Sequence, residues 1–252
     1  MTRGQGAKPI GGVSAKRLVS DLRKELLHCS EGAFFGAEVD LLERFNVSRP
    51  TLRQAARVLE RDNLLSVRRG PRGGYFVRRP DVQSVVNAAS LYLNGRAARL
   101  NDLIVAARGP ISTLLRLAAE SCDEDARAAL RQAFDAYVST DFPALPVAKF
   151  LTAERNMVAL YSRLASNPPL TLVIQIFQAC GARVVADNVF DGRPDRVQAC
   201  AKLRARQVEA VLEGDGRLAV LFDLRASELR LSYLELDDPQ ATGRHVDLSS
   251  LI

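Results

Sequence analysis

Between Ala37 and Arg79 the chain reads AEVDLLERFNVSRPTLRQAARVLERDNLLSVRRGPRGGYFVRR, and few folds accept that order of local signals. Val39, Leu41, Leu42 and Phe45 recur at helical spacing over Ala37 to Phe45, a helix of about two and a half turns. Asn46-Val47-Ser48 interrupts it. Ser48 can cap a following helix through its hydroxyl, and Pro50 falls in the first turn, where a missing N–H costs nothing. On that next helix Leu52, Ala55, Ala56 and Leu59 form an inward face, and the small alanines permit close crossing of the helix before it. Arg49, Arg53 and Arg57 recur every four residues on another face. Leu64 to Arg69 then alternates like a strand, GPRGG breaks it, and Gly74 to Arg79 resumes extended character, which together predict a β-hairpin. Upstream, Ser14 to Leu27 places Leu18, Val19, Leu22, Leu26 and Leu27 on one stripe of a further helix.

Two short helices joined by a three-residue turn, the second carrying arginines near its amino end, have the geometry that inserts a helix into a DNA major groove. Arginine suits that task because its planar fork can engage guanine bidentately or clamp a phosphate. Arg49 and Arg53 are the leading candidates; Arg57 and Arg61 have Glu60 and Asp62 as competing partners. The hairpin supplies a basic wing, with Arg69, Gly70, Arg72 and Gly73 at or beside a tip that would enter the minor groove or lie on the backbone. Charge agrees with this placement. Residues 1–79 hold 16 Lys and Arg against 8 Asp and Glu, whereas residues 80–252 hold 19 against 21. A cationic end on a near-neutral body suits a polyanion, because DNA affinity grows with the counterions released.

The run from Ser14 to Arg79 resembles the GntR family of bacterial regulators, through LRKELL, GAEVDLLERFNVSRPTLRQAARVLERDNLL and RRGPRGGYFV. Similarity to the FadR branch implies operator contacts from Ser48, Arg49, Thr51 and Arg53, helped by the wing tip from Gly70 to Gly73. The sequence departs from the family at Val39, where arginine is frequent, and at Pro50, where a polar residue is common.

Pro80 and Asp81 mark a boundary, after which helix dominates. The expected segments are Val82–Leu93, Asn101–Ser121, Asp123–Ser139, Val147–Ala165, Pro169–Asn188, Pro194–Leu212 and Asp215–Glu235, separated by Gly95, Pro143 and Pro146, Asn167-Pro168-Pro169, Gly192 and Gly214. The overall expectation is a mostly α chain: a basic arm over 1–13, a winged helix-turn-helix over 14–79, an all-α bundle of seven helices over 80–240 and a tail over 241–252. The bundle resembles the FCD effector-binding domain of FadR-type regulators through AARGPI, ERNMVALYSRLASNPPL and EAVLEGD. Many FCD domains hold a metal with an aspartate and three histidines. The corresponding positions here are Glu154, Val158, Arg204 and Ala226, so the resemblance implies a helical pocket without the metal. Arg108 and Arg204, with Glu154 and Asn167 as further polar groups, are the candidates for meeting a carboxylate or phosphate on an effector, an organic acid or acyl-CoA. An Arg108–Glu154 or Arg204–Glu154 ion pair bridging helices is the competing reading of the same residues.

Other functions find little support. No G-x-S-x-G, P-loop, H-E-x-x-H or dinucleotide fingerprint occurs, and histidine appears only at His28 and His245. No catalytic residue, cofactor or metal is expected. Four dispersed cysteines without a C-x-x-C pair suit a reduced, cytoplasmic protein, and neither a secretory leader nor an apolar membrane span is read. The expected partners are double-stranded DNA with a pseudo-palindromic operator, a small effector, and a second copy of the chain in a homodimer, with repression as the default. An architectural DNA-binding protein that needs no effector is the alternative.

Overall fold

The computed structural model describes residues 14–70, 73–240 and 243. The arm over 1–13, Pro71 and Arg72 at the wing tip, and 241–252 apart from Gly243 lie outside the described residues, as do the side chains of 181–188. The chain forms two compact units, Met1–Asp81 and Val82–Ile252.

The first unit contains α1 (Ala15–His28), β1 (Phe34–Gly36), α2 (Glu38–Phe45), α3 (Arg49–Arg61), β2 (Leu65–Arg68) and β3 (Gly74–Val77). Ser14 caps α1 by accepting from the Arg17 N–H at 3.3 Å, and Ser48 caps α3 by accepting from the Thr51 N–H at 3.4 Å. Between α2 and α3 the turn is made possible by Asn46 in the left-handed region (φ 48°), a conformation that asparagine tolerates better than most residues. The leucine stripe of α1 (Leu18, Leu22, Leu26) packs with Leu41, Leu52, Ala55, Ala56 and Leu59 into one core, closed by Leu64, Leu65, Tyr75 and Val77. Burying that set supplies most of the drive to fold, at ~25 cal/mol per Å² of apolar surface.

The strands form an antiparallel sheet in the order β1-β3-β2, with Leu65 opposite Val77 and Phe34 opposite Phe76. The third strand, β1, is an addition to the hairpin read from sequence. Arg79, just past β3, donates to the carbonyls of Leu26 and Leu27 at 3.0 Å each, and to that of Cys29. One guanidinium thus satisfies carbonyls at the open end of α1.

The second unit is helical: α4 (Val82–Gly95), α5 (Leu100–Glu120), α6 (Glu124–Val138), a short 3₁₀ turn at Phe142–Ala144, α7 (Val147–Ala165), α8 (Pro168–Phe190), α9 (Pro194–Leu212) and α10 (Gly216–Asp237). Seven α-helices are therefore present among the described residues of this unit, with ends within about two residues of those read from sequence. Side chains of Asp123, Asn167 and Asp215 cap α6, α8 and α10. Helix α5 is central and packs on α7, α8, α9 and α10. Gly216 lets α10 start against α5, since a Cβ there would lie 2.9 Å from the Cα of Arg116.

An aromatic chain runs through this core: Tyr137 to Phe142 at 4.7 Å, Phe142 to Phe150 at 5.6 Å and Phe150 to Phe190 at 5.3 Å between ring centroids. Arg196, only 3% exposed, is held by Asp237 at 2.5 and 2.8 Å and by the Val189 carbonyl at 3.1 Å, tying α9 to the ends of α8 and α10. Among the described residues no helix is long and apolar enough to cross a membrane.

Candidate nucleic-acid interface and helical cavity

Helix α3 turns its leucines and alanines to the core, and the same periodicity leaves Arg49, Arg53 and Arg57 exposed along its outer side. The Ser48 hydroxyl lies 2.8 Å from that of Thr51, so the two small polar groups that open α3 are held together in a solvent-facing position. The arginines are not free of carboxylates. Glu38, at the start of α2, sits 3.7 Å from Nε of Arg49 and 3.5 Å from the Arg53 guanidinium. Both arginines remain about two-thirds exposed, at 68% and 64%, so these are loose, screened contacts that a stronger anion can displace.

Arg57 is exposed and forms no ion pair among the described residues. Glu60 does not take it; the Glu60 carboxylate accepts from the Val67 N–H at 2.9 Å and so fastens β2 of the wing to α3. Asp62 instead serves Arg23 at 2.5 Å and lies 3.8 Å from Arg61. On the wing, Arg69 and Gly70 are exposed, Gly70 adopts φ 106°, and the Gly73 N–H donates to the Gly70 carbonyl at 2.8 Å. Arg72 lies outside the described residues. Arg53, Arg57, Arg69 and Gly73 line one polar cleft of about 600 Å³ between α3 and the hairpin, with Glu38 and Glu60 on its walls. Sequence reasoning missed Glu38, whose acid at a helix start reads equally well as a response to the helix dipole.

In the second unit, Glu154 on α7 and Arg204 on α9 meet in a doubly hydrogen-bonded pair: Nε reaches the two carboxylate oxygens at 3.0 and 3.1 Å, and the terminal nitrogen reaches one at 2.8 Å. Tyr137 donates to the same carboxylate at 2.8 Å. Arg204 also donates to Gln207, which accepts from Tyr161 at 3.3 Å and donates to Asp223 at 3.0 Å. Burial pushes the Glu154 carboxyl up, but the adjoining Arg204 guanidinium outweighs it, and with Arg230 and the Tyr137 hydroxyl holds the group below the ordinary value. Desolvation, then the charge of Glu154, drives the Tyr137 hydroxyl far up, so it stays a donor.

This pair forms one wall of an apolar cavity of about 260 Å³, lined also by Leu103, Phe150, Val158, Phe177, Gln178 and Arg230. The structure therefore brings together Glu154 and Arg204 of the residues read for an effector. It places Arg108 exposed on α5, off the cavity, and Asn167 at the start of α8, where its side chain accepts from the Leu170 N–H at 3.1 Å. A metal does not fit here. Both Glu154 oxygens are occupied by a guanidinium, Val158 and Ala226 offer no donor, and among the described residues no cluster of three His, Cys, Asp or Glu could hold one.

The two units define a class: a winged helix-turn-helix of three helices and a three-stranded sheet, in one chain with an all-α bundle. Among solved structures that class has a close relative in shape. Streptococcus agalactiae GntR has a TM-score of 0.59 with this chain at 15% identity, over 88% of this chain and 98% of that one. Escherichia coli McbR/YncC aligns over 87% of this chain and 96% of its own, at 16% identity and a TM-score of 0.38. A GntR-family transcriptional regulator from Pseudomonas syringae pv. tomato aligns over 89% and 87%, at 20% identity and a TM-score of 0.33. No protein-family profile matches the sequence, and no curated protein matches it either. The fold is thus shared with Streptococcus agalactiae GntR at 15% sequence identity.

Proposed function

We infer that this protein is a GntR-type transcriptional regulator of FadR-like organisation that binds double-stranded DNA through α3 and the wing. The observation that carries the reading is the exposed arginine row Arg49, Arg53 and Arg57 on the helix that Ser48 caps, with Arg53 and Arg57 lining the same cleft as Arg69, Gly70 and Gly73. Ser48 and Thr51 would contact phosphate, the arginines base edges and phosphate, and Arg72 the minor groove. The cavity between α5, α7, α8, α9 and α10 would take a small effector, an organic acid or acyl-CoA, with Glu154 and Arg204 in its wall. In a cytoplasmic homodimer on a pseudo-palindromic operator, ligand would shift operator affinity by a coupling of about 1–3 kcal/mol, with repression as the default. The chain is read as a regulator without catalytic residues or a metal.

The test selects a preferred duplex from a random pool and follows binding by fluorescence anisotropy across salt concentrations. Log affinity falls with log salt, and Arg53→Ala loses preference for the selected site while melting like the parent, because the side chain is solvent-facing. Salt-insensitive binding, or an Arg53→Ala protein with full preference, refutes the reading.

A further inference from the structure

Among the described residues, the lining of the helical unit's cavity carries positive charge that its ion pairs do not balance. Glu154 is the one carboxylate among its described lining residues, and it is already committed through both oxygens to Arg204 and through one to Tyr137. Arg204, 8% exposed, spends a further nitrogen on Gln207. The pair is neutral as it stands, and neither member can turn to a ligand without leaving the other charged and unpaired in a nearly dry site. Two more guanidinium groups line the same space. Arg155 is exposed and bonded to Thr152. Arg230 on α10 is half-buried, and its one hydrogen bond to a described residue is to the Ser227 hydroxyl at 3.2 Å. No carboxylate of a described residue lies within ion-pair distance of it, although its charge is felt at Glu154. The rest of the wall is apolar, including Leu100, Leu103, Phe150, Phe177 and Phe190. Among the described residues this half-buried guanidinium, with donors unspent in such a wall, has no counter-anion, and desolvated charge is stable only when paired.

We propose that the cavity takes a small monoanion with an apolar body, a carboxylate of the fatty or arylacetic kind, whose charge is received by Arg230, while Arg204 stays with Glu154 as a fixed internal cation. The proposal rests on reading this cavity as the effector site and narrows that reading in two ways. It moves the charge-recognising group from Arg204 and Arg108 to Arg230. It also favours a small acid over a whole acyl-CoA, because about 260 Å³ falls below the usual ~300–1,000 Å³ of ligand pockets and would leave the nucleotide outside the cavity.

The experiment titrates the full chain with octanoate and phenylacetate and with the matched neutral amides, octanamide and phenylacetamide, by saturation-transfer NMR and calorimetry. The parent, Arg230→Met, Arg230→Lys and a surface control, Arg131→Met on the exposed side of α6, are compared. In the parent and the control, the better acid binds about tenfold or more tightly than its amide, the worth of a charged hydrogen bond. Arg230→Met abolishes that preference while still binding amide, and Arg230→Lys retains part of it. Equal binding of acid and amide in the parent, or a preference that survives in Arg230→Met, overturns the proposal and leaves the effector reading standing. Should Arg230→Met bind neither probe, the lysine variant decides: a retained preference supports the assignment and a lost one overturns it. If none of the four probes binds the folded parent, this proposal is overturned, while the wider effector reading, which also covers other organic acids and acyl-CoA, is not.

Discussion

Glu38 and Glu154 are the carboxylates that pair with the arginines of the two candidate sites, one at the surface and one buried. Glu38, about one-third exposed, meets two exposed guanidinium groups at 3.5 and 3.7 Å, so its pairing is weak and exchangeable. Its effect is to lower the positive potential that any duplex meets on approaching α3. Glu38→Gln should therefore raise affinity for random duplex several-fold while changing affinity for the selected site less, which narrows the specificity ratio. Anisotropy with both duplexes measures this, and an unchanged ratio would show that the carboxylate has no part in recognition. Glu154 is the buried case. Its carboxyl is held below the ordinary 4.5, so the stability it contributes is full above that value and is lost as pH falls through the depressed folded-state value. Acid unfolding of the helical unit should accordingly steepen below pH 4.5, and Glu154→Gln should flatten that limb. At neutral pH the same variant leaves Arg204 buried beside a neutral amide and should cost about 3–5 kcal/mol. Tyrosine absorbance in urea titrations at several pH values checks both, and an acid limb unaltered by the substitution would assign it to other carboxylates.

At the scale of elements, Gly74 decides how the wing joins β1. Gly74 opens β3 with φ 150°, and a Cβ added there would stand 2.5 Å from the Phe34 ring and 3.0 Å from the Gly36 carbonyl. The ring can swing aside because Phe34 is exposed, but the β1 backbone cannot, and the dihedral itself is strained for an L residue. Gly74→Ala should thus destabilise the first unit by roughly 1–3 kcal/mol and detach β1 from β3. Amide exchange at Val77, whose N–H donates to the Ala33 carbonyl at 2.9 Å, reports the loss directly; protection equal to the parent's would contradict the steric argument. The same sheet shows where sequence stops being informative. The helices of both units were legible because their apolar residues recur over many turns and their ends carry Ser48, Asp123, Asn167 and Asp215. Strand β1 was not, since Phe34–Gly36 is too short to alternate and its partner Phe76 is far along the chain. The 3₁₀ turn at Phe142–Ala144 read only as a proline break. Among site residues, the Glu154–Arg204 pair was one of two pairings that composition allowed, and only packing separated it from Arg108. Arg230 gave no signal, because an arginine in ELRLSYLEL looks like one solvated position in an amphipathic helix until the cavity beside it is known.

For the molecule as a whole, charge and fold impose the same division. Residues 1–79 carry twice as many basic as acidic groups, and residues 80–252 slightly more acidic than basic, so the charge that would draw a duplex lies in the winged unit. One such unit offers a single short helix, and α3 at 13 residues can read only a few base edges. Specific occupancy in a genome then requires two copies held at a fixed distance, which a dimer provides and a flexible pair does not. The selected duplex should therefore contain two related half-sites and bind two chains. Inserting about five base pairs, half a helical turn, between those half-sites rotates one to the far side of the duplex, where a rigid dimer cannot follow. Affinity should drop toward that of a single half-site, and inserting a full turn of about ten should restore part of it only if the linkage between the copies yields. Gel mobility with the three spacings, combined with mass determination of the complex, makes the comparison. A binding constant indifferent to the half-turn insertion would mean that each winged unit acts alone, and the helical unit would then have no means of passing a ligand's presence to the DNA.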